Sequence, residues 1–445
     1  MQFDRDGRRL FTCLGRQESA AAVWHQPDRY RDLLSLSPKG EFCVHGAGLS
    51  LSGAGFSATA DVLGMARFNR VLDLDRNARV VHVEAGITLG RLFTALARHD
   101  LILAVQPGHP GITVGGCIAG NVHGKNPFRE GTFAGLVQEL TLFHPAHGVC
   151  VLSREQNQVL FDLTCGGFGL TGIILSAKLA LEPFPASGID VTHLPADGPI
   201  EAVRILRENN HSYDQLYAWL NFSRHDHAMG RGFVVAGRRS PSSETKQRAA
   251  ASTYPSLHTE DAWPLACLNR LSLPLINAAY ACLNRLAGSR HLAAFDALFP
   301  FANRIQYFHA YGRGGFVEHQ VLIPEAAFPF YIKTVMGTLK RHNLACGLAS
   351  LKLFAGERRL LWFCGDGISL AIHLPGGPKA HACLQEIDEL DIECGAIANI
   401  IKDARLSGET IRQQYAGEYE VFCQRLRDFD PKRRFVSALS SRLGL

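Results

Sequence analysis

Two stretches of this chain hold the residue types from which an anion cradle is built. The first is His45-Gly-Ala-Gly-Leu-Ser-Leu-Ser-Gly53. The second is Gln106-Pro-Gly-His-Pro-Gly-Ile-Thr-Val-Gly-Gly-Cys-Ile-Ala-Gly-Asn-Val-His-Gly-Lys-Asn126. Glycine has no Cβ, so its backbone amide can come close to a pyrophosphate. Gly46-x-Gly48 is weak by itself, because such turns are common. The second run is more specific. Its adjacent Gly115 and Gly116, followed by His123-Gly-Lys-Asn126, suit neither a helix nor a strand. The structural alternative is a tight turn region in a β-sandwich. A third run, Cys165-Gly-Gly-Phe-Gly-Leu-Thr-Gly-Ile-Ile174, reads either as a flexible turn or as bare backbone set against a flat cofactor.

The elements around these runs are short. Phe42-Cys-Val-His reads as a strand entering Gly46, and Arg79 to Gly86 as a second strand. Thr88 is placed to cap a helix through about Arg98, with Leu89, Leu92, Phe93 and Leu96 on one face. A helix is expected after Pro27, and short strands over 101–106, 138–143 and 149–152. A long strand follows Gly172, and Pro183 and Pro185 mark a boundary. The polar, turn-rich segment 237–262 reads as a mobile surface loop. Between 316 and 401 the pattern is β-α-β-β-α-β, with a final strand over Ala396 to Ile401. That order predicts an antiparallel sheet with helices on one face. The tail from about Glu409 reads as helical and is expected to return to the first domain.

Composition narrows the function classes. The chain has 445 residues, 47% hydrophobic and 20% charged, which excludes wholesale disorder. A formal charge of +5 without a clustered basic face gives no reason to expect nucleic acid. The 12 cysteines are scattered, several within apolar runs, and form no C-x-x-C pair. With no apolar run after the first charges and no stretch of membrane-spanning length, the expected compartment is the reducing cytoplasm. The histidines show no H-x-x-x-H or H-E-x-x-H spacing, so no metal site is expected.

Pro107-Gly108, Thr113-Val-Gly-Gly116, His123-Gly-Lys-Asn126 and Gly166-Gly-Phe-Gly-Leu-Thr-Gly-Ile-Ile174 resemble the PCMH-type FAD-binding domain of the vanillyl-alcohol oxidase superfamily. Within it the chain resembles the decaprenylphosphoryl-β-D-ribose 2-oxidase family. That likeness continues through Arg313-x-Gly-Phe316, Gln320-Val-Leu-Ile-Pro324, Leu351-Lys-Leu-Phe354, Lys402-Asp403 and Asp430-Pro-x-x-x-Phe435. The implied fold class is α+β. It comprises a two-subdomain FAD-binding domain over 1–185, a substrate domain over 186–400 with an antiparallel sheet and covering helices, and a segment 401–445 returning to the FAD domain.

The resemblance implies FAD held by Gly46, Ala47, Gly48, Leu49, Ser50, Leu51, Ser52 and Gly53. It adds Gly108, Thr113, Val114, Gly115, Gly116, His123, Gly124, Lys125, Asn126 and Ile174. Leu49 stands where covalently flavinylated relatives carry histidine, so the FAD is expected to be dissociable. Leu51 replaces an aromatic residue.

The implied reaction is hydride transfer from C2 of a polyprenyl-phosphoryl ribose to flavin N5, the first half of a 2-epimerisation toward arabinose. A short-chain dehydrogenase/reductase partner completes it. A free-sugar aldose, alditol or aldonolactone oxidase is the alternative enzyme, and a flavin-binding scaffold without turnover is the non-enzymatic one. Lys402, His123 and Tyr311 match catalytic positions. Lys402 could stabilise developing negative charge, or act as base if its pKa is depressed. Gln320, Lys352, Glu318, Ser369 and Asn399 match substrate-pocket positions. Glu318 stands for a glutamine, Ser369 for an asparagine, Ala371 for a cysteine and Asn399 for a tyrosine. Read without the resemblance, Lys352 could be a surface lysine, Lys402 the end of an apolar strand, His123 part of a polar turn and Tyr311 a core residue.

A lipid-linked substrate implies peripheral contact with the inner face of a membrane. Residues 264–290 are the candidate surface. Leu268, Leu271, Leu275, Ala279, Leu283 and Leu286 recur at helical spacing, with Asn269, Arg270, Asn277, Asn284 and Arg285 on another face. The apolar stretch of about 14 residues is too short to span and suited to an interface. The structural alternative is a helical hairpin bent at Pro274 and packed on the substrate domain.

Overall fold

The computed structural model describes residues 4–184, 188–224, 226–240, 265–302 and 304–445. Three sheets position the glycine runs and the polar residues. In the smallest of these, Trp24–His25, Asp61–Gly64 and Phe42–His45 lie parallel, so the first glycine run leaves a strand end directly. A five-stranded antiparallel sheet has the order Gly148–Ser153, Val137–His144, Ile173–Ala180, Val80–Glu84, Val71–Asp75. The helix Leu89–Ala97 packs its apolar face into the core beside it. Thr88 caps that helix as expected, accepting from the Arg91 amide.

The third sheet has eight strands, every neighbouring pair antiparallel. Its order is Arg290–Ala293, Gly188–Ala196, Gly232–Ser240, Gln215–Leu220, Leu348–Phe354, Gly367–Pro375, Phe316–Ile323, Ile397–Ala398. The helices Phe328–Arg341 and Pro378–Glu393 pack on one face. Period-two alternation decides what each face carries. Val317, Val321, Leu351, Leu353, Leu370, Ile372 and Leu374 turn into the core beneath the helices. Glu318, Gln320, Lys352, Ser369 and His373 turn the other way. The α+β fold class therefore stands as read from the sequence.

Several local expectations are corrected. Residues 237–240 belong to the strand Gly232–Ser240, not to a loop, and 241–262 lie outside the described residues. The strand after Asp100 is only Leu101–Ile102, and the helix after Pro27 is only Tyr30–Leu34. The final strand is Ile397–Ala398, after which a 3-10 turn, Ile400–Lys402, swings Lys402 off the sheet. The tail does return to the glycine-run side. The Phe42 amide donates to Arg434 O at 2.7 Å, and the Val436 amide to Phe42 O at 3.0 Å. On its way it supports the large sheet, where Tyr415 OH donates to Ala398 O at 2.7 Å.

No helix among the described residues is long and apolar enough to cross a membrane. His319 gathers under the sheet with Asp388 and Asp391, one turn apart on the helix Pro378–Glu393, their ligand-type atoms within 4.8 Å of one another. Arg405 holds Asp388 at 2.9 and 3.0 Å, and Tyr331 donates to Asp391 at 2.7 Å. The cluster is thus a buried ion network that motif spacing could not reveal.

Candidate active site

A cavity of about 440 Å³ opens between the glycine runs and the polar face of the large sheet. The first run contributes Gly46, Ala47, Gly48, Leu49, Ser50 and Leu51 to its wall. The second contributes Gly108, Thr113, Gly115, Gly116, His123, Gly124 and Lys125, and Ile174 joins them from the third. Glu318, Gln320, Lys352, Ser369, Asn399 and Lys402 line the opposite side.

Five expected site residues do not line it. Ser52 is fully buried and closes a turn with the Ser50 hydroxyl. Gly53 provides a left-handed turn (φ 63°) packed near Ala438. Val114 enters the apolar core. Asn126 donates to the carbonyls of Asn210 and Tyr213, each at 3.0 Å, and so ties the second run to the segment leading into the strand Gln215–Leu220. Tyr311 is buried behind the cavity wall, not in it.

The glycines are required by close packing. A Cβ on Gly46 would lie 2.7 Å from Thr113 Oγ1, so the first two runs touch there. A Cβ on Gly115 would lie 3.1 Å from Ala85 Cβ. Thr113 caps the following turn by accepting from the Gly116 amide at 3.2 Å.

Hydrogen bonds fix the polar face. Asn399 Nδ2 donates to Gln320 Oε1 at 2.9 Å, which leaves Gln320 Nε2 to face Ser369 Oγ at 3.2 Å and His123 Nε2 at 3.0 Å. That orientation assigns His123 Nε2 as the acceptor and places its proton on Nδ1, directed at Gly124 O at 3.1 Å. Burial and the neighbouring Lys352 hold the imidazole well below its usual pKa. Lys352 Nζ donates to Gly124 O at 2.8 Å and lies 3.3 Å from His123 Nδ1. Burial, then Lys125 and Lys402, push the Lys352 ammonium down to about 7. Lys125 is pushed down to about 8 by burial, and donates to the carbonyls of Gln106 and Leu298.

A second network runs inward from Lys402. Lys402 Nζ is 3.6 Å from Glu318 Oε1, and His373 Nε2 is 2.9 Å from Glu318 Oε2. His373 Nδ1 meets Tyr307 OH at 2.9 Å, and Tyr307 OH meets Tyr311 OH at 2.8 Å. Burial raises the Glu318 pKa, but Lys402 and then His373 outweigh it and hold the carboxyl down at about 2. Tyr311 therefore ends a chain of polar contacts that begins at Lys402.

Sequence reading missed His373, Tyr307 and the cavity-lining Tyr217, Trp219, Tyr280, Phe301 and Arg304. Alternation held the signal for some of these. His373 lies two residues beyond Ala371 and four beyond Ser369 on one strand, and Tyr217 and Trp219 alternate likewise. Tyr307 and Arg304 lie around a short helix whose placement no local pattern gives.

Residues 33–152 match the family model described as an FAD binding domain, a span that includes both long glycine runs. Those residues form an FAD-binding domain. The chain is an FAD-dependent oxidoreductase. A decaprenylphosphoryl-beta-D-ribose oxidase of Mycolicibacterium smegmatis is 28% identical, over 86% of this chain and 85% of that one. Mouse L-gulonolactone oxidase is 33% identical over 27% of this chain and 28% of its own. Mitochondrial L-galactono-1,4-lactone dehydrogenase of Arabidopsis thaliana is 29% identical over 37% and 28%. The wall of the cavity fits FAD, because the tight packing at Gly46 and Gly115 keeps side chains off that surface and leaves backbone facing the space.

Proposed function

We propose that this protein oxidises the C2 hydroxyl of a polyprenyl-phosphoryl pentose, a ribose, to the 2-keto sugar. The carrying observation is coverage. Similarity to the ribose oxidase extends over 86% of the chain, whereas the two lactone-oxidising enzymes match 27% and 37%. In this reading the glycine-run wall, with Gly46, Gly48, Gly115 and Gly116, would hold FAD, which would supply a hydride acceptor for the carbinol carbon. It is held without a covalent link, since Leu49 faces the cavity with a side chain that cannot form one.

The chain's own residues handle the proton and the charge. Lys402, kept in place by Glu318, presents a cation to the hydroxyl oxygen as negative charge develops there. Lys352 takes the hydroxyl proton, because burial leaves a fraction of its amine neutral near pH 7. Gln320, Ser369 and Asn399 position the sugar from a fixed amide network. Arg304, among the cavity-lining aromatics, supplies the cation for the phosphate, and Tyr217, Trp219, Tyr280 and Phe301 receive the start of the prenyl chain. A ketone product implies a short-chain reductase partner that returns hydride to the other face, giving the arabinose form.

The test is anaerobic addition of polyprenyl-phosphoryl ribose to the holoenzyme, beside free ribose and an aldonolactone. The flavin band is expected to bleach with the lipid-linked sugar and persist with the others. Bleaching by the lactone or free sugar alone would overturn the substrate assignment.

A further inference from the structure

The helix Leu273–Leu286 is inverted relative to a helix that packs on a core. Its polar Asn277 and Asn284 are buried, at 5% and 9% exposure, while Leu275, Leu283 and Leu286 are 74%, 63% and 80% exposed. Asn277 Nδ2 donates to Cys346 O at 3.2 Å and ties the inward side to the neighbouring segment, while Asn284 Nδ2 donates within the helix to Tyr280 O at 2.8 Å. At 100° per residue, Leu275, Ile276, Ala279, Leu283 and Leu286 share one face, with Leu273, Asn277, Tyr280 and Asn284 opposite. Leu265 and Leu271, in the turn before the helix, are equally bare. The helical hairpin considered from sequence is not formed among the described residues. The helix begins at Leu273 with Pro274 in its first turn, and Leu268 is buried beneath.

Single exposed leucines need no explanation, but a contiguous set backed by buried asparagines does. Charge indicates what covers it. From residue 265 to 293 the chain has Arg270, Arg285 and Arg290 and neither Asp nor Glu. Arg270 and Arg285 are exposed beside the leucines. An apolar face with exposed arginines beside it, and no carboxylate from residue 265 to 293, fits an anionic lipid surface, into which the leucines insert while the arginines remain among headgroups. The helix is too short to cross a bilayer, which leaves a position in the interface plane. Tyr280, on the inward side of the same helix, lines the cavity. We propose that Leu265–Leu286 is a bilayer-docking face that seats the protein against an anionic membrane surface, with Tyr280 linking that helix to the cavity. The inference stands on this helix alone and does not require the substrate assignment.

The test is flotation of the purified holoenzyme with vesicles of phosphatidylcholine, alone or mixed with phosphatidylglycerol. The wild type is expected to rise with the mixed vesicles and to be released by salt. The variant Leu275→Glu/Leu283→Glu/Leu286→Glu is expected to bind at least ~10-fold more weakly. Its flavin absorbance should be unchanged, since none of the three side chains lines the cavity. Failure of the wild type to float with either vesicle, or equal flotation of the variant, would overturn the proposal. A wild-type dimer that the variant converts to monomer, with no flotation, would also overturn it and make the face an interface between copies of this chain.

Discussion

Glu318 and His373 stand directly opposite each other on neighbouring antiparallel strands, and their side chains meet at 2.9 Å on the cavity face. The register of two strands thus creates the carboxylate that Lys402 approaches. Changing Glu318 to Gln removes the shared partner of a lysine and a histidine. The expected loss is about 1–3 kcal/mol of stability, read from equilibrium denaturation. Unchanged stability would contradict the pairing.

The same carboxylate sets a pH dependence. Its folded pKa, about 2, lies below the ordinary carboxylate value of 4.5, so its stabilising contribution is present above pH 4.5. That contribution is lost as pH falls from 4.5 toward 2. Wild-type stability should therefore fall more steeply over that window than that of Glu318→Gln. Parallel acid-denaturation curves would show that Glu318 carries no such linkage.

Lys352 makes the opposite kind of prediction. With its ammonium pushed down to about 7, the rate of anaerobic flavin reduction should rise as pH increases through 7. Lys352→Met should lose that rising limb and slow reduction by about 10²-fold or more. A variant with the wild-type pH profile would remove Lys352 from proton transfer.

Gly46→Ala tests the glycine wall. The added Cβ would meet Thr113 Oγ1 at 2.7 Å and force the two loops apart. FAD affinity, measured by fluorescence titration of the apoprotein, should fall by about 10-fold or more. Retained affinity would mean that the contact between these loops does not shape the cofactor surface.

Arg304→Ala separates the phosphate from the sugar. KM for the phosphorylated lipid-linked substrate should rise about 10-fold with kcat little changed, since the contact is remote from the reacting carbon. An unchanged KM would place the phosphate elsewhere.

These predictions rest partly on residues the sequence displays and partly on residues it conceals. The glycine runs were legible because glycine clustering is a local signal, and the sheet because its strands alternate cleanly. Glu318, Gln320 and Lys352 were reachable by the same alternation together with family likeness. Tyr311 matches a catalytic position of the resembled family, yet the structure sets Tyr307 and His373 between it and Lys402. Val114 and Asn126 sit within a glycine-rich motif but turn toward the core and toward neighbouring carbonyls. A motif specifies where backbone goes, and only packing decides which of its side chains face the cavity. The inverted helix shows the same limit, since helical spacing separates two faces without saying which one is inside.

The most direct test of the account is the site of hydride loss. Polyprenyl-phosphoryl ribose carrying deuterium at C2 should reduce the enzyme-bound flavin more slowly than the unlabelled compound under anaerobic conditions, with a 2-keto product recovered. Equal rates with label and without, or a flavin that stays oxidised with both, would contradict oxidation at that carbon.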